Sequence, residues 1–290
     1  MRSTDMQTNR QTFASAAPIN FDSLWAEHES NWPAIKDIGL LACMAALFHD
    51  FGKANAVFQQ KLTSTQPKAD AYHHEWVSLR LFEAFVRRSG ADDRAWLSQL
   101  SALSATADAD YLGELFRDGL ETRRWVSPFR NLPPLAQLVG WLIVSHHRLP
   151  TSTAGQGLNK RQLPQILENI GPAWCGSGFD NGTAKACWRF DKGLPFDSQH
   201  WRQHVATVAQ AMLRRPGLMD AGEAVKLLDN PFVAHVARLA LMLADHHYSA
   251  QPSQAQYGDK PGNKRETLYA NTEPQNGKRQ VKQRLDEHLI

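Results

Sequence analysis

The chain has 290 residues, 42% of them hydrophobic, which suffices for one large domain or two small ones with a sizeable core. Its net charge of +3 permits a nucleic-acid partner but is far from the dense positive charge of a histone-like binder. The three cysteines form no C-x-x-C pair, and the chain shows neither a signal peptide nor an apolar run of membrane-spanning length, so we expect a cytoplasmic protein without a membrane segment.

An all-α domain is predicted between two polar ends. Residues 1–20 lack periodicity and are expected to be disordered. Residues 251–290 are rich in Gln, Asn, Gly and charge, a composition typical of a linker. Between them, residues 21–250 show helical patterns and form the predicted domain. Within it, residues 149–200 lose this periodicity and lack the aliphatic residues for a core of their own, which indicates a long irregular insertion.

One stretch organises this domain, the run LLACMAALFHDFGK at Leu40–Lys53. It closes a predicted helix that begins near Ala34. A helix that is apolar on every face belongs in the core, so this run places His49 and Asp50 in the interior. An unpaired carboxylate there is costly and normally finds a cation or strong hydrogen-bond donors. Gly52 then supplies the flexibility to leave the helix.

Two further apolar helices have the same design. The segment PPLAQLVGWLIVSHHR ends in His146-His147, and the segment PFVAHVARLALMLADHHYS carries Asp245 near its end. An amphipathic helix begins at His73-His74. If the buried helices lie side by side, their polar ends converge in one pocket.

This convergence predicts a metal site. Imidazole and carboxylate groups suit manganese, iron, nickel, cobalt or zinc, and the lack of cysteine ligands argues against a structural zinc site. The candidates outnumber what one catalytic metal binds while keeping open positions, so a two-metal site with Asp50 as bridge would use them naturally. His74 is preferred over His73 because Glu75 could orient it. The candidate ligands are His49, Asp50, His74, His146, His147 and Asp245.

Each element also has a simpler interpretation. A histidine at a helix end is more often a capped surface residue, Asp50 could cap the following turn, and Asp245 could lie in a solvated helix end. The repetition of the same chemistry on three core helices favours the shared metal site. His235 lies on another face of its helix and is expected to be structural.

These motifs resemble the HD superfamily of metal-dependent phosphohydrolases, whose hallmark is His…His-Asp…Asp on a helical scaffold. They are most similar to the HD nuclease domain of the CRISPR-associated helicase-nuclease of type I systems. The elements FHDFGKANAVFQ, YHHEWVS, SHHR and LADHHYS follow that family's motifs in order, over about residues 38–250. The DHHYS form and the closing LDEHL are most similar to the type I-F branch.

The resemblance implies an HD-domain helical bundle that cleaves single-stranded DNA displaced by a guide-RNA surveillance complex. It implies that the six candidates bind two divalent transition metal ions (Mn, Fe, Ni or Co), that Lys53 contacts the scissile phosphate or its leaving oxygen, and that Ser249 assists Asp245. The family continues into an ATP-driven helicase. This chain has no G-x-x-x-x-G-K-[ST] loop, hence no predicted ATP site, and residues 251–290 would lead towards that helicase.

The family usually has another histidine ligand upstream of the His-Asp pair, and His28 is a weak counterpart. An HD phosphohydrolase for a small nucleotide is one alternative, although the insertion favours an open groove over a closed pocket. An inactive metal-binding interaction module is another, although it would not need Lys53. Aromatic residues of the insertion could support a DNA strand. Trp174 and Trp188 are the candidates, but core packing is favoured for both.

Overall fold

The computed structural model describes residues 34–65, 70–90, 92–104, 108–121, 126–149, 163–172, 181–252, 267–275 and 278–289. The predictions for residues 1–20, His28 and Trp174 lie outside these ranges. The described residues fold into α-helices with one small antiparallel sheet, so the predicted all-α class is confirmed.

The helices are α1 Ala34–Ala46, α2 Ala56–Thr63, α3 His74–Ser89, α4 Asp93–Ser101, α5 Asp108–Glu114, α6 Pro134–Ser145, α7 Leu163–Leu167, α8 Asn181–Cys187, α9 Gln199–Leu213, α10 Pro216–Met219, α11 Ala221–Leu228, α12 Pro231–Ala250 and α13 Leu285–His288. The strands are β1 Tyr269–Gln275 and β2 Lys278–Arg284. In the described part of the chain, no single helix is long and apolar enough to cross a membrane, and α11 with α12 reaches that composition only as a pair bent by 73°.

The three apolar helices of the sequence, α1, α6 and α12, pack against one another, as their design predicts. Helix α3 packs on α6 and on the 3-10 turn Phe51–Ala54 that follows α1. Aromatic rings fill the space beside this turn, where the Phe48 ring meets Trp201 edge-on at 5.4 Å between centroids. The packing therefore brings the ends of α1, α6 and α12 and the start of α3 to one region of the core.

Helix α1 ends at Ala46 rather than at Asp50, because side chains take the carbonyl groups that another helical turn would use. Nδ1 of His49 lies 2.7 Å from the Ala46 carbonyl oxygen. The indole N–H of Trp201 donates to the Leu47 carbonyl oxygen, also at 2.7 Å. The final residues before the 3-10 turn thus form a tight turn that redirects His49 and Asp50.

Gly52 lets the 3-10 turn Phe51–Ala54 approach the start of α3 closely. Its N–H donates to Oγ of Ser78 at 2.7 Å, and a Cβ at this position would lie 2.1 Å from the carbonyl oxygen of His74. Its backbone is not in the left-handed region that favours glycine. The need for glycine is therefore steric, and the expectation that it serves to leave the helix is replaced by close contact with α3.

The described parts of residues 149–200 contain α7, α8 and a 3-10 turn, and their apolar side chains join the common core. Trp188 is buried, donates to the Asp118 carbonyl oxygen at 3.0 Å and packs against the Tyr72 ring. Trp188 is thus a core residue, in line with the interpretation favoured above.

The prediction of a polar linker at residues 251–290 is wrong for the described part of that segment. Strands β1 and β2 pair in antiparallel fashion, and α13 follows directly. The strand sequences YANTEPQ and KRQVKQR carry no alternating apolar pattern, because backbone pairing and side-chain hydrogen bonds hold them rather than an apolar face. Burial of Ala270, Leu285 and Leu289 anchors the hairpin to the helices.

Candidate metal centre

Two of the predicted ligands are oriented by the ends of the helices that carry them. Nδ1 of His49 faces the Ala46 carbonyl oxygen, and Nδ1 of His146 faces that of Ile143, both at 2.7 Å. A carbonyl accepts only a donated proton, so in the neutral form of each ring Nδ1 carries the hydrogen and Nε2 holds the free lone pair. Both Nε2 atoms are buried without a hydrogen-bond partner, which suits a metal ligand.

The first donor group consists of His49, Asp50, Asp245 and His288, all of them buried. Nε2 of His288 lies 2.6 Å from Oδ2 of Asp50 and 3.2 Å from Oδ1 of Asp245. Nε2 of His49 lies 3.4 Å and 3.7 Å from the same two oxygens. Two imidazoles and two carboxylates therefore point at one another closely enough to hold one metal ion.

The second donor group consists of His74, His146 and His147. The ring centroids of His146 and His147 are 4.0 Å apart, and that of His74 is 5.8 Å and 5.2 Å from them. Nε2 of His74 also lies 3.0 Å from Oδ1 of Asp50. Asp50 thus turns one carboxylate oxygen to each group, as expected of a bridging ligand.

The two groups differ in their access to solvent. All four members of the first group are buried, whereas His147 of the second group is exposed. A further combination of donors, His147, Asp245 and His246, continues this exposed side. The centre is therefore accessible to solvent at His147, whereas the first group is enclosed.

The charges of the centre compensate one another. Burial opposes ionisation of Asp50, yet the neighbouring His49, Lys53 and His288 hold the pKa of its carboxyl well below the usual range. His288 and His49 likewise lower the pKa of Asp245 against the effect of burial. Burial alone would lower the pKa of the His49 imidazole, but the two carboxylates raise it above its ordinary value. Attraction between these carboxylates and their neighbouring cationic groups thus outweighs the cost of burying them.

The pKa of His146 is shifted in the opposite direction to that of His49. Burial, together with the neighbouring His49 and His147, holds the pKa of its imidazole well below the ordinary value. The pKa of His147 is lowered by burial and by His74. These two imidazoles are therefore neutral at neutral pH, the form that binds metals.

Lys53 lies beside the bridging carboxylate. Its Nζ is 2.5 Å from Oδ2 of Asp50 and 5.7 Å from the centroid of the Phe58 ring, and the residue is 8% exposed. Ser249, the predicted helper, donates to Oδ1 of Asp245 at 3.4 Å. Both side chains thus contact carboxylates of the first group.

The start of α3 distinguishes the two adjacent histidines. His74 reaches Asp50, and its Nδ1 lies 3.5 Å from Oε2 of the buried Glu75. His73 precedes the helix and belongs to none of the donor groups formed by the described residues. His235 is exposed on α12 and is likewise outside these groups.

Sequence reasoning missed His288. It lies in α13, in a segment predicted to be a linker, and it is the fourth donor of the first group. Two features of the sequence pointed to it. LDEHL was one of the elements similar to the type I-F branch, and Asn276-Gly277, between β1 and β2, is a dipeptide favoured in two-residue hairpin turns.

No protein-family model matches the chain. Over 273 residues, 93% of its length, the chain is 50% identical to the CRISPR-associated nuclease/helicase Cas3 subtype I-F/YPEST of Pseudomonas aeruginosa. Over 282 residues it is 40% identical to the protein of the same name from Pectobacterium atrosepticum. The chain spans about a quarter (24%) of the length of each of these relatives. It is therefore a homologue of the type I-F Cas3 nuclease/helicases, and its resemblance to their HD nuclease domain is confirmed.

Proposed function

We propose that this chain is a metal-dependent nuclease that hydrolyses phosphodiester bonds of single-stranded DNA in CRISPR interference, an antiviral defence. It would act in the cytoplasm on a strand displaced by a guide-RNA surveillance complex. The relatives are named nuclease/helicases, which supports a nuclease role. The metal ligands would be the six predicted residues together with His288.

One observation carries this proposal: the two donor groups are adjacent and share Asp50. Its Oδ2 faces His288 and its Oδ1 faces His74. A pair of divalent metal ions held side by side can activate a water molecule and stabilise the leaving oxygen of a phosphodiester. The predominance of imidazole ligands favours manganese, iron, nickel or cobalt over magnesium, which prefers oxygen ligands.

The residues of the chain have separable roles in this proposal. The first group and the second group would each hold one metal ion, with Asp50 shared between them. Lys53 has three N–H donors, so it can keep its contact with Asp50 and also donate to a phosphate oxygen. Glu75 would support His74 electrostatically, since its Oε2 lies 3.5 Å from Nδ1 of that ring.

The side from which the centre is reached bears on the substrate. The exposed His147 and His246 lie on that side, next to the exposed Arg148. An accessible edge that carries the cationic Arg148 suits a long polyanionic strand, and it supports DNA over a small nucleotide in a closed pocket.

His288 also bears on the alternative of an inactive interaction module. That alternative depended on the lack of a histidine upstream of His49, which suggested an incomplete ligand set. His288 supplies a donor 2.6 Å from Asp50, so the first group has four members without an upstream residue. The proposal of an active centre no longer needs His28.

The test is cleavage of a labelled single strand by protein loaded with manganese, nickel, cobalt or ferrous iron, each with and without a chelator. Duplex DNA and dGTP serve as parallel substrates, and Asp50→Ala serves as the inactive control. We expect metal-dependent cutting of the single strand that is lost in the control. Phosphate release from dGTP without cutting of the strand would assign the chain to the small-nucleotide enzymes. Bound metal without any hydrolysis would support the interaction module.

A further inference from the structure

Gln59, in α2, joins the His-Asp motif to the C-terminal hairpin. Its Nε2 donates to the Lys53 carbonyl oxygen at 2.7 Å and to that of Tyr269 at 2.8 Å. Its Oε1 accepts from the Tyr269 N–H at 3.1 Å. The side-chain amide thus pairs with Tyr269 as a peptide group of a third strand would, although the described sheet has only two strands.

The hairpin continues this link to the metal centre. Tyr269 pairs with Arg284, and the N–H of Leu285 donates to the Leu268 carbonyl oxygen at 2.9 Å. Helix α13 begins at Leu285 and ends at His288, whose Nε2 lies 2.6 Å from Asp50. The contacts of Gln59 therefore fix the hairpin on one side, and the hairpin carries His288 to the first group.

The opposite side of the hairpin is fixed to α12. Nζ of Lys282 donates to the Ser249 carbonyl oxygen at 2.6 Å, and Nε2 of Gln283 donates to that of Tyr248 at 2.8 Å. Loss of Gln59 would consequently loosen the hairpin at one edge without releasing it. We expect a shifted His288, not an unfolded chain.

We propose that Gln59 is a positioning residue for one of the two metal ions: by holding Tyr269 against the His-Asp motif, it places His288 in the first donor group. This inference rests on the proposed metal centre. Removal of a residue that orients a metal ligand typically lowers metal affinity 10- to 100-fold, and this range is the expected loss at the first group. The second group contains no residue of the hairpin or of α13 and should keep its affinity.

The experiment compares Gln59→Ala, Gln59→Glu and His288→Ala, with Gln60→Ala as the matched control from the exposed face of the same helix. Gln59→Glu keeps the size of the side chain and its acceptor for Tyr269 but loses both bonds to carbonyl oxygens. Manganese bound per chain is measured by equilibrium dialysis over a range of free metal. Amide hydrogen exchange of residues 269–275 is measured on the same proteins.

We expect both Gln59 variants to bind one manganese ion like wild type and the other 10- to 100-fold more weakly, with faster exchange in β1. Gln60→Ala should match wild type. In the double variant Gln59→Ala/His288→Ala, manganese binding should equal that of His288→Ala, because positioning has no effect once the ligand is absent.

Three outcomes would overturn the inference. Wild-type binding by both Gln59 variants would show that Gln59 positions nothing. If Gln59→Ala lowered manganese affinity equally in the His288→Ala background, Gln59 would act by a route other than His288. The same conclusion would follow if the affinity fell without faster amide exchange in β1. Failure of the proposed metal centre is distinguishable, because wild type, Gln60→Ala and Gln59→Ala would then all bind no metal.

Discussion

Nε2 of His288, in helix α13, lies 2.6 Å from Oδ2 of Asp50, in the tight turn that follows α1. Two of the bridging residue's nearest neighbours therefore come from distant parts of the chain, since His74 contacts its other oxygen. The first donor group closes only when the C-terminal hairpin is in place. Assembly of the centre thus depends on tertiary structure and not on any single motif.

Replacing His288 by alanine should remove one metal ion per chain. The first group then retains three of its four donors, His49, Asp50 and Asp245, so it should bind its metal ion more weakly. The second group keeps all of its donors. Metal per chain after dialysis is the measurement, and cleavage of the single strand should fall in parallel. His235→Ala, at an exposed histidine outside the donor groups, is the control and should bind like wild type. Equal metal content in both variants would exclude His288 as a ligand.

Lys53→Ala should separate metal binding from catalysis. The ammonium lies 2.5 Å from Asp50, so its removal takes away a positive charge that competes with the metal ions. We expect metal affinity to be unchanged or higher, and the cleavage rate to fall about 10²- to 10³-fold, the usual effect of losing a donor to developing charge. Single-turnover cleavage at saturating manganese measures this. Lys61→Ala, which removes a lysine paired with Asp70, should cleave normally; equal loss in both variants would contradict the role of Lys53.

Metal affinity should rise with pH. In the metal-free chain, the pKa of His49 is raised above its ordinary value of 6.5, so this imidazole carries a proton at and just above that pH. A metal ion needs the neutral form and must displace this proton, whereas His146, with its lowered pKa, has none to release. Addition of manganese at pH 7 in weak buffer should therefore release protons, and the affinity should increase from pH 6 to pH 8. A pH-independent affinity over this range would contradict the assignment of His49 as a ligand.

Gly52→Ala should disturb both stability and the centre. The added methyl group would lie 2.1 Å from the His74 carbonyl oxygen, so α3 must move away from the His-Asp motif. Overpacking of this kind costs about 1–3 kcal/mol, and the shift would also draw His74 away from Asp50. Urea denaturation and metal content test the two effects. Gly113→Ala is the control: its Cβ would meet nothing within 4 Å, and alanine in a helix should instead stabilise the protein by roughly 0.5–1 kcal/mol.

Asp118→Ala should be among the most destabilising single substitutions that leave the metal ligands unchanged. Arg80 is 1% exposed and donates to both oxygens of Asp118, at 2.8 Å and 2.9 Å, and Trp76 donates to the same carboxylate. Removal of the carboxylate leaves a buried guanidinium with only part of its partners, which costs about 3–5 kcal/mol. The free energy of unfolding in urea measures this. Asp191→Ala, in an exposed pair with Arg189, should unfold like wild type.

Much of the fold could be predicted from hydrophobic periodicity. Helices α1, α6 and α12 are strongly apolar, and they pack against one another as that pattern predicts. The end of α1 could not be predicted, because it is set by tertiary contacts of the Ala46 and Leu47 carbonyl groups. The hairpin was missed for a related reason. Its strands are polar, and what holds them, such as the amide of Gln59, lies far away in the sequence.

The metal centre, too, was predicted only where its residues lie next to a periodic helix. Five of the six predicted residues were found because each follows or interrupts an apolar helix, and His74 because it begins an amphipathic one. The structure brings all six to the two donor groups. His288 has no such context, since a four-residue helix after two polar strands gives no periodicity. Its only indications were a short family element and a turn dipeptide, and both are local features without information on what they face.

The carbonyl groups at the ends of α1 and α6 have a consequence for how such a centre can change in evolution. Each helix stops where its own unpaired carbonyl oxygen can fix the ring of a ligand, as Ala46 does for His49 and Ile143 for His146. No dedicated side chain is needed for this task, so the orientation of these two rings depends on the length of each helix. An insertion or deletion of one residue before either histidine would turn its ring away from the metal, even with every ligand retained. In these two helices it is length, more than residue identity, that keeps the centre intact.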